Sequence, residues 1–522
     1  MWNLIASRLA TLLCFGLILG SACFPSIPEE DEDTADTTDT AADTSDTIND
    51  TGDTEATDTA VTDTIDPNEP PALDQVLPAE NTNAARPDAD IIARFDRAVE
   101  EPPDAGFVVH SNLRGVIRGD LSDDTEKALT FEPIERFLPG EQITVSLVAG
   151  VIQSATLVAF PTSYVFEFRV ATLKTASDPD FGAAEKLLTS RDTTHVVTAD
   201  VSGDGLVDII YTAGGALSYF INEGNGAFSA GGELATALPI VLDVAVGDLN
   251  GDNRPDFVIS SPASALALVS DGGTTISYTA AAIDGGLGGA VALGDLDGDG
   301  DLDAVFAAGT PGVAINAGRG AFSTVDPIDD ADGLDATSDV AIADIDNDGA
   351  LDLIFAVNRS GDVAGVALVF RNSGDADFDV AEAYPIGMGA QAIVAADFDE
   401  DGNIDIAVSN GADGTVGTLA NDGSGRFDAQ VPITTGGVGP LLTADLDGDG
   451  LLDILGAGLG ANPLVWLTNS ATGFTTDMVA ETAPRTNSIA LADIDGDGDL
   501  DVIQADLGSS TLTIHHNIEE KD

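Results

Sequence analysis

The sequence predicts an all-β chain: a seven-bladed β-propeller preceded by a β-sandwich and a disordered acidic linker. Three observations predict it. An acidic phrase of the type "ADIDGDGDLDVI" (492–503) recurs seven times from about residue 177 onward. Glycine is abundant, at 57 residues, and aromatic residues make up only 5% of the chain, which fits many tight turns between short strands. No repeat unit carries a helical 3.6-residue pattern of useful length, which sets aside a helical solenoid of similar period.

Charge narrows the function. The 522 residues hold 90 acidic and 19 basic side chains, a formal net charge of −71. That surplus excludes DNA, RNA and anionic lipid as partners, since these need lysine and arginine patches, and it suits cations. The length allows two or three domains with cores of their own.

Residues 1–22 read as an export signal. Arg8 is the one early base, and "LATLLCFGLILG" (9–20) is short for a membrane span and has signal-peptide flanks. No later segment reaches the roughly 18 apolar residues that a span requires, so the remainder is expected to be soluble. Gly20-Ser21-Ala22-Cys23 resembles a bacterial lipobox, although Gly20 stands where that family prefers leucine and Leu19 lies one residue further back. The resemblance implies that Cys23 is lipidated, that the protein is an outer-membrane or cell-surface lipoprotein, and that it meets the membrane only through that lipid. Cleavage after Ala22 without lipid would give a secreted or periplasmic protein. Cys14, the other cysteine, falls in the removed segment, so the mature chain forms no internal disulfide.

Residues 23–70 form a linker typified by "DEDTADTTDTAADTSDT" (31–47). Repeated Asp and Thr cannot bury enough apolar surface to offset chain entropy, so disorder is expected. A coil of this length spans about 35 Å and is extended by self-repulsion. Residues 71–173 change character. Eleven of the 19 bases fall between Arg86 and Arg191, and short alternating runs such as "ADIIARFDRAV" are separated by Pro and Gly turns. The size suits one β-sandwich. "FDRAVEEP", "FEPIERFLPGEQITVSL" and "YVFEFRVAT" resemble the bacterial Ig-like domain, which implies a spacer or adhesive module without catalytic residues.

The repeats occupy 177–518. Their first metal-type aspartates are spaced by 48, 47, 49, 53, 48 and 48 residues, a period in the range of propeller blades. Each unit reads as an apolar strand, the acidic loop, a second strand, a third ending near an Asn ("LSYFIN", "VALVFRN"), a Gly-rich turn and a fourth strand. Four strands in seven units make seven blades. The last unit stops after its third strand, "STLTIHHN", and "DFGAAEKLL" (180–188) is expected to supply its fourth and close the ring.

Asp at loop positions 1, 3, 5 and 9 with Gly at 6 suits a hard cation. Calcium takes six to eight oxygens, and glycine tolerates the sharp turn. Strands flank the loop and no Glu stands at 12, so it is not an EF-hand. The pattern resembles FG-GAP/VCBS repeats, the calcium-loop blades of integrin α-subunit propellers. Carried over, the resemblance implies up to seven calcium ions, held by Asp200, Ser202, Asp204 and Asp208; Asp248, Asn250, Asp252 and Asp256; Asp295, Asp297, Asp299 and Asp303; Asp344, Asp346, Asp348 and Asp352; Asp397, Asp399, Asp401 and Asp405; Asp445, Asp447, Asp449 and Asp453; and Asp493, Asp495, Asp497 and Asp501. Ser202 replaces a carboxylate and Asn253 the turn glycine, so the first two sites are expected to be weaker; Asn tolerates the left-handed conformation.

Catalytic signals are sparse. Gly-x-Ser-x-Gly, His-Glu-x-x-His and phosphate-loop motifs are missing, and the chain has four histidines. His195, His515 and His516 are expected near the closing blade, where they could approach one another. The favoured reading is a monomeric, non-catalytic calcium-binding scaffold for adhesion to an extracellular protein or glycan. The alternative is a surface enzyme acting on polysaccharide or another extracellular polymer. The calcium loops follow the first strand of every blade and so share one face. Ligand capture is expected on the other, through loops 327–339, 356–365 and 409–417.

Overall fold

In a computed structural model, the described residues are 66 and 68–517, apart from 126, 173–180, 237, 239, 274, 286–287, 329–336, 360–362, 380–381, 460–463 and 481–485. The export signal, Cys23 and nearly all of the acidic linker lie outside them. The described residues are all-β, broken only by a short 3-10 turn at Asp104–Gly106. No helix among them is long and apolar enough to cross a membrane.

The first module is a β-sandwich. One sheet runs, in spatial order, Leu73–Leu77, Ile91–Phe95, Ala128–Pro133, Gly119–Thr125. The other runs Tyr164–Arg169, Gln142–Leu147, Phe107–Ser111, Gly115–Val116. Alternation dictates which side chains meet: in Ile91–Phe95, Ile91, Ala93 and Phe95 point inward while Arg94 faces out. The two inner faces join around Phe95, Phe131, Phe166 and Phe168, with Phe107 stacked on Phe131 at 5.8 Å between ring centroids. Each such ring contributes about 1.5–3 kcal/mol by leaving water.

The repeats fold, among the described residues, into seven four-stranded antiparallel sheets. In the first, Thr193–Ala199, Asp208–Ala213, Ala216–Asn222 and Phe228–Thr236 pair in chain order. The innermost strand of each sheet packs on that of the next, and Thr486–Ala492 of the seventh packs on Thr193–Ala199 of the first, so the ring closes. Second strands are apolar on both faces because each is sandwiched between two neighbouring sheets: Asp352–Val357, "DLIFAV", is buried throughout. Fourth strands form the rim and are mostly exposed. The seventh sheet takes its rim strand, Glu185–Leu188, from before the first repeat, with Glu185 opposite Ile514 and Leu188 opposite Thr511. Non-covalent pairing thus closes the ring, with no cysteine among the described residues.

The sandwich is more than a spacer: it packs across the ring face that bears the acidic loops. Leu113 O accepts from Asp200 N at 2.9 Å, and Val165 N donates to Gly349 O at 2.8 Å. Ser163 Oγ donates to Gly298 O at 2.7 Å, and Asn81 Nδ2 to Gly402 O at 3.1 Å. Between the modules lies a cavity of about 440 Å³, with Gln142, Glu167 and Arg169 on the sandwich side and Val196, Ile342 and Ile393 on the propeller side.

Candidate metal centres

Each acidic loop winds round its own first carboxylate. The backbone N–H at position 6 donates to the position-1 aspartate in all seven loops, at 2.7–3.1 Å. That winding needs a left-handed residue at position 6, which Gly supplies, and Asn253 adopts it with φ +67°. Position 4 is left-handed as well, a feature the sequence reading missed: Asn347 and Glu400 sit there at φ +59°. Glycine at position 4 in five of the seven loops was the available signal.

Position 9 opens the second strand and is fully buried or nearly so. Asp208, Asp256, Asp303, Asp352, Asp405, Asp453 and Asp501 each accept, on Oδ1, the N–H of the residue ending the third strand at 2.6–2.9 Å. Their Oδ2 atoms accept from the start of the loop at 2.8–3.3 Å. This carboxylate therefore braces the loop as well as facing its centre. The residue ending the third strand acts too. In six sheets it is an Asn whose Nδ2 crosses to the position-2 carbonyl of the preceding sheet's loop at 2.7–3.2 Å: Asn222, Asn316, Asn372, Asn421, Asn469 and Asn517. Ser270 stands there in the second sheet and is too short to cross. Sequence reading noticed this Asn without assigning it work.

The carboxylates converge. Asp295, Asp297 and Asp299 offer oxygens all within 4.8 Å of one another, as do Asp344, Asp346 and Asp348. In the fifth and sixth loops the converging sets are Asp397, Asp399 and Asp405, and Asp445, Asp447 and Asp453. Without a cation such clusters repel and hold protons. Burial, then neighbouring carboxylates, push Asp256, Asp303, Asp352 and Asp453 up to about 8. Asp208 and Asp405 rise to about 7 for the same reasons. Oxygens of Asp252, Asp346 and Asp397 are buried with no hydrogen-bond partner among the described residues. Oxygen-only clusters with orphaned buried oxygens fit a hard cation such as calcium.

Two loops carry a nitrogen base against the cluster. Arg371 places Nε 3.5 Å from Asp346 and also pairs with Glu382. His516 lies 3.7 Å from Asp495 and 3.6 Å from Asp501, and the contact with Asp501 raises it to about 9. The three histidines that could have approached one another have separate surroundings. His195 belongs to the innermost strand of the first sheet, beside Thr194 and Thr212, and His515 is buried against Gln504. Of the loops on the opposite face, 329–336 and 360–362 lie outside the described residues.

An FG-GAP-like repeat model matches residues 200–259, 248–306, 295–355, 344–408, 397–456 and 445–503, more than half of the chain. The chain belongs to the FG-GAP-like repeat family. Each matched span of this FG-GAP-like chain opens on one acidic loop and closes in the second strand after the next, so six spans cover seven loops. A bacterial Ig-like domain model matches residues 67–170, the sandwich. Among solved structures, the chain is similar to an Agrocybe aegerita lectin described by its recognition of non-reducing terminal N-acetylglucosamine, at 17% identity and TM-score 0.42, covering 74% of this chain and 94% of that one. It is also similar to a Bacteroides thetaiotaomicron protein of unknown function, at 10% identity and TM-score 0.34, covering 86% and 98%. A third likeness is to the Dos1 propeller, at 10% identity and TM-score 0.38, covering 72% and 89%. No curated protein matches the chain.

Proposed function

We propose that this FG-GAP-like protein is an exported, calcium-stiffened binding scaffold without catalytic activity, anchored to the bacterial surface by lipid on Cys23. The observation that carries the reading is the convergence of three carboxylates in each of four loops, the third to the sixth, together with buried oxygens of Asp252, Asp346 and Asp397 that have no hydrogen-bond partner among the described residues. Calcium bound there would neutralise the clusters. The chain's own part is to aim the side-chain oxygens at positions 1, 3, 5 and 9, keep the loop wound through its backbone N–H groups, and tie six of the seven loops to the next sheet through the crossing Asn. Extracellular calcium modules work at about 0.1–1 mM, the level found outside cells, which agrees with an export signal.

The ligand is an extracellular protein or glycan. It meets the ring face opposite the sandwich, because the loop face is already covered. Loops on a rigid scaffold are where binding residues concentrate, and 409–417 is one such loop. Protein and glycan arrays probed with calcium and with chelator test this. The expected result is capture in calcium that is lost in chelator and weakened when 411–414 is replaced by an unrelated turn of equal length. Capture indifferent to chelator and to that replacement would refute the reading.

A further inference from the structure

We propose that the seventh acidic loop is a transition-metal site, built for a borderline divalent ion of the zinc type, with His516, Asp495 and Asp501 as ligands and Glu185 orienting the imidazole. The proposal rests on the reading of the acidic loops as cation sites but concerns this loop alone.

The residue just before the strand-ending Asn or Ser points at the loop in at least two sheets. It is Ile221, Val269, Ile315, Arg371, Ala420, Thr468 and His516 in turn around the ring. Only the seventh sheet supplies an imidazole there. Arg371 shows what the position reaches, because its guanidinium lies 3.5 Å from Asp346, the position-3 carboxylate. His516 does the same with a group that can ligate a metal. Its Nδ1 faces Asp495 Oδ2 at 3.7 Å and Asp501 Oδ1 at 3.6 Å, and the three ligand atoms lie within 4.8 Å of one another. These separations exceed a hydrogen bond, and Nδ1 is buried with no hydrogen-bond partner among the described residues.

The spacing suits the ion proposed. Zinc binds imidazole nitrogen and carboxylate oxygen at about 2.1 Å in a tetrahedral shell, whose ligand-to-ligand edge is then about 3.4 Å. The observed 3.6 and 3.7 Å lie close to that edge. Imidazole is a preferred ligand of zinc-type ions, whereas calcium selects oxygen. The other ring nitrogen completes the design: Nε2 lies 3.6 Å from Glu185 Oε2. A carboxylate on the far nitrogen is the usual second partner of a metal-bound histidine, fixing its tautomer and ring orientation. Glu185 belongs to the rim strand that precedes the first repeat, whereas His516 and the two aspartates come from the last. An ion held here would therefore also pin the seam at which the ring closes.

The test uses the full chain, stripped of metal and then saturated with calcium to fill the oxygen-only loops. Cobalt(II) is titrated in, its visible ligand-field band is followed, and zinc is measured by displacement of cobalt. One cobalt ion per chain is expected to bind with an imidazole-type band, to resist excess calcium and to yield to zinc. Glu185→Gln should weaken binding about 10–100-fold and His516→Gln by at least as much, with calcium stoichiometry at the other loops unchanged. Should His516→Gln fold poorly, the imidazole ¹⁵N resonances of the parent chain give a second readout, with one ring nitrogen shifting on zinc addition. Calcium binding without a cobalt band, or a cobalt site unchanged in His516→Gln, overturns this proposal alone. Failure of both calcium and cobalt to bind overturns the reading of the loops as cation sites as well.

Discussion

Removing calcium should make this protein more stable in acid than at neutral pH, the reverse of an ordinary acidic protein rich in ion pairs. The position-9 carboxyls supply the sign. Asp352 is fully buried and held at about 8 against an ordinary value of 3.8, first by burial and then by Asp346 and Asp344. Between those two values the folded carboxyl keeps its proton and the unfolded one has lost it, so the folded state binds more protons and stability falls as pH rises. One pH unit is worth about 1.4 kcal/mol per group, so raising the pH from about 5.5 to 7.5 should remove on the order of 3 kcal/mol through Asp352 alone. Asp256, Asp303 and Asp453 act in the same direction over the same window. On the proposed reading calcium takes the place of the proton, and saturating calcium should therefore flatten or reverse the slope. Urea unfolding at fixed ionic strength, across this range, with calcium and with chelator, measures it. A slope identical in both conditions, or stability in chelator that rises with pH, would refute the reasoning.

Asn421→Ala removes the donor to Ile345 O and Ile404 O, two buried carbonyls on either side of one seam, and should cost about 2–5 kcal/mol in urea unfolding. Deleting 181–188 strips the rim strand from the seventh sheet and bares Thr511–His515; size-exclusion chromatography should show aggregates that the parent does not form. Cys23→Ser should move the exported protein from the detergent phase to the aqueous phase on fractionation; unchanged partition would remove the lipid anchor.

Much of this architecture is legible in the sequence because it is periodic. The seven loops, the four-strand units and the displaced rim strand each repeat or complete a pattern. What escaped reading was contact between distant residues. The Asn clamps link positions about 70 residues apart, and the sequence between their partners gives no sign of the meeting. The left-handed turn at position 4 hides behind a glycine, which reads as an ordinary turn residue, and shows itself only where Glu400 or Asn347 takes the glycine's place. His516 was noticed as one of a histidine pair, but strand alternation sends it and His515 to opposite sides, one to the acidic cluster and the other to Gln504.

The sandwich was the least legible part, and it changes what the acidic face is for. Its contacts with the ring are polar atoms scattered from Asn81 to Arg169 and isolated apolar insertions such as Leu113 and Val165, with no repeating signature. Two of the hydrogen bonds end on carboxylates of the acidic loops: Val116 N donates to Asp248 Oδ2 at 3.2 Å, and Ser146 Oγ to Asp295 Oδ2 at 2.6 Å. Asp248 and Asp295 are position-1 carboxylates, the ones round which their loops wind. A loop that splayed on losing a cation would move the acceptor that the sandwich is seated on. The acidic loops are thus a joint between two modules, and a face used as a joint is closed to large partners. On the proposed reading, binding is left to the opposite face and the exposed rim strands, and the ions would act on a ligand at a distance, by holding the ring rigid behind the loops that meet it.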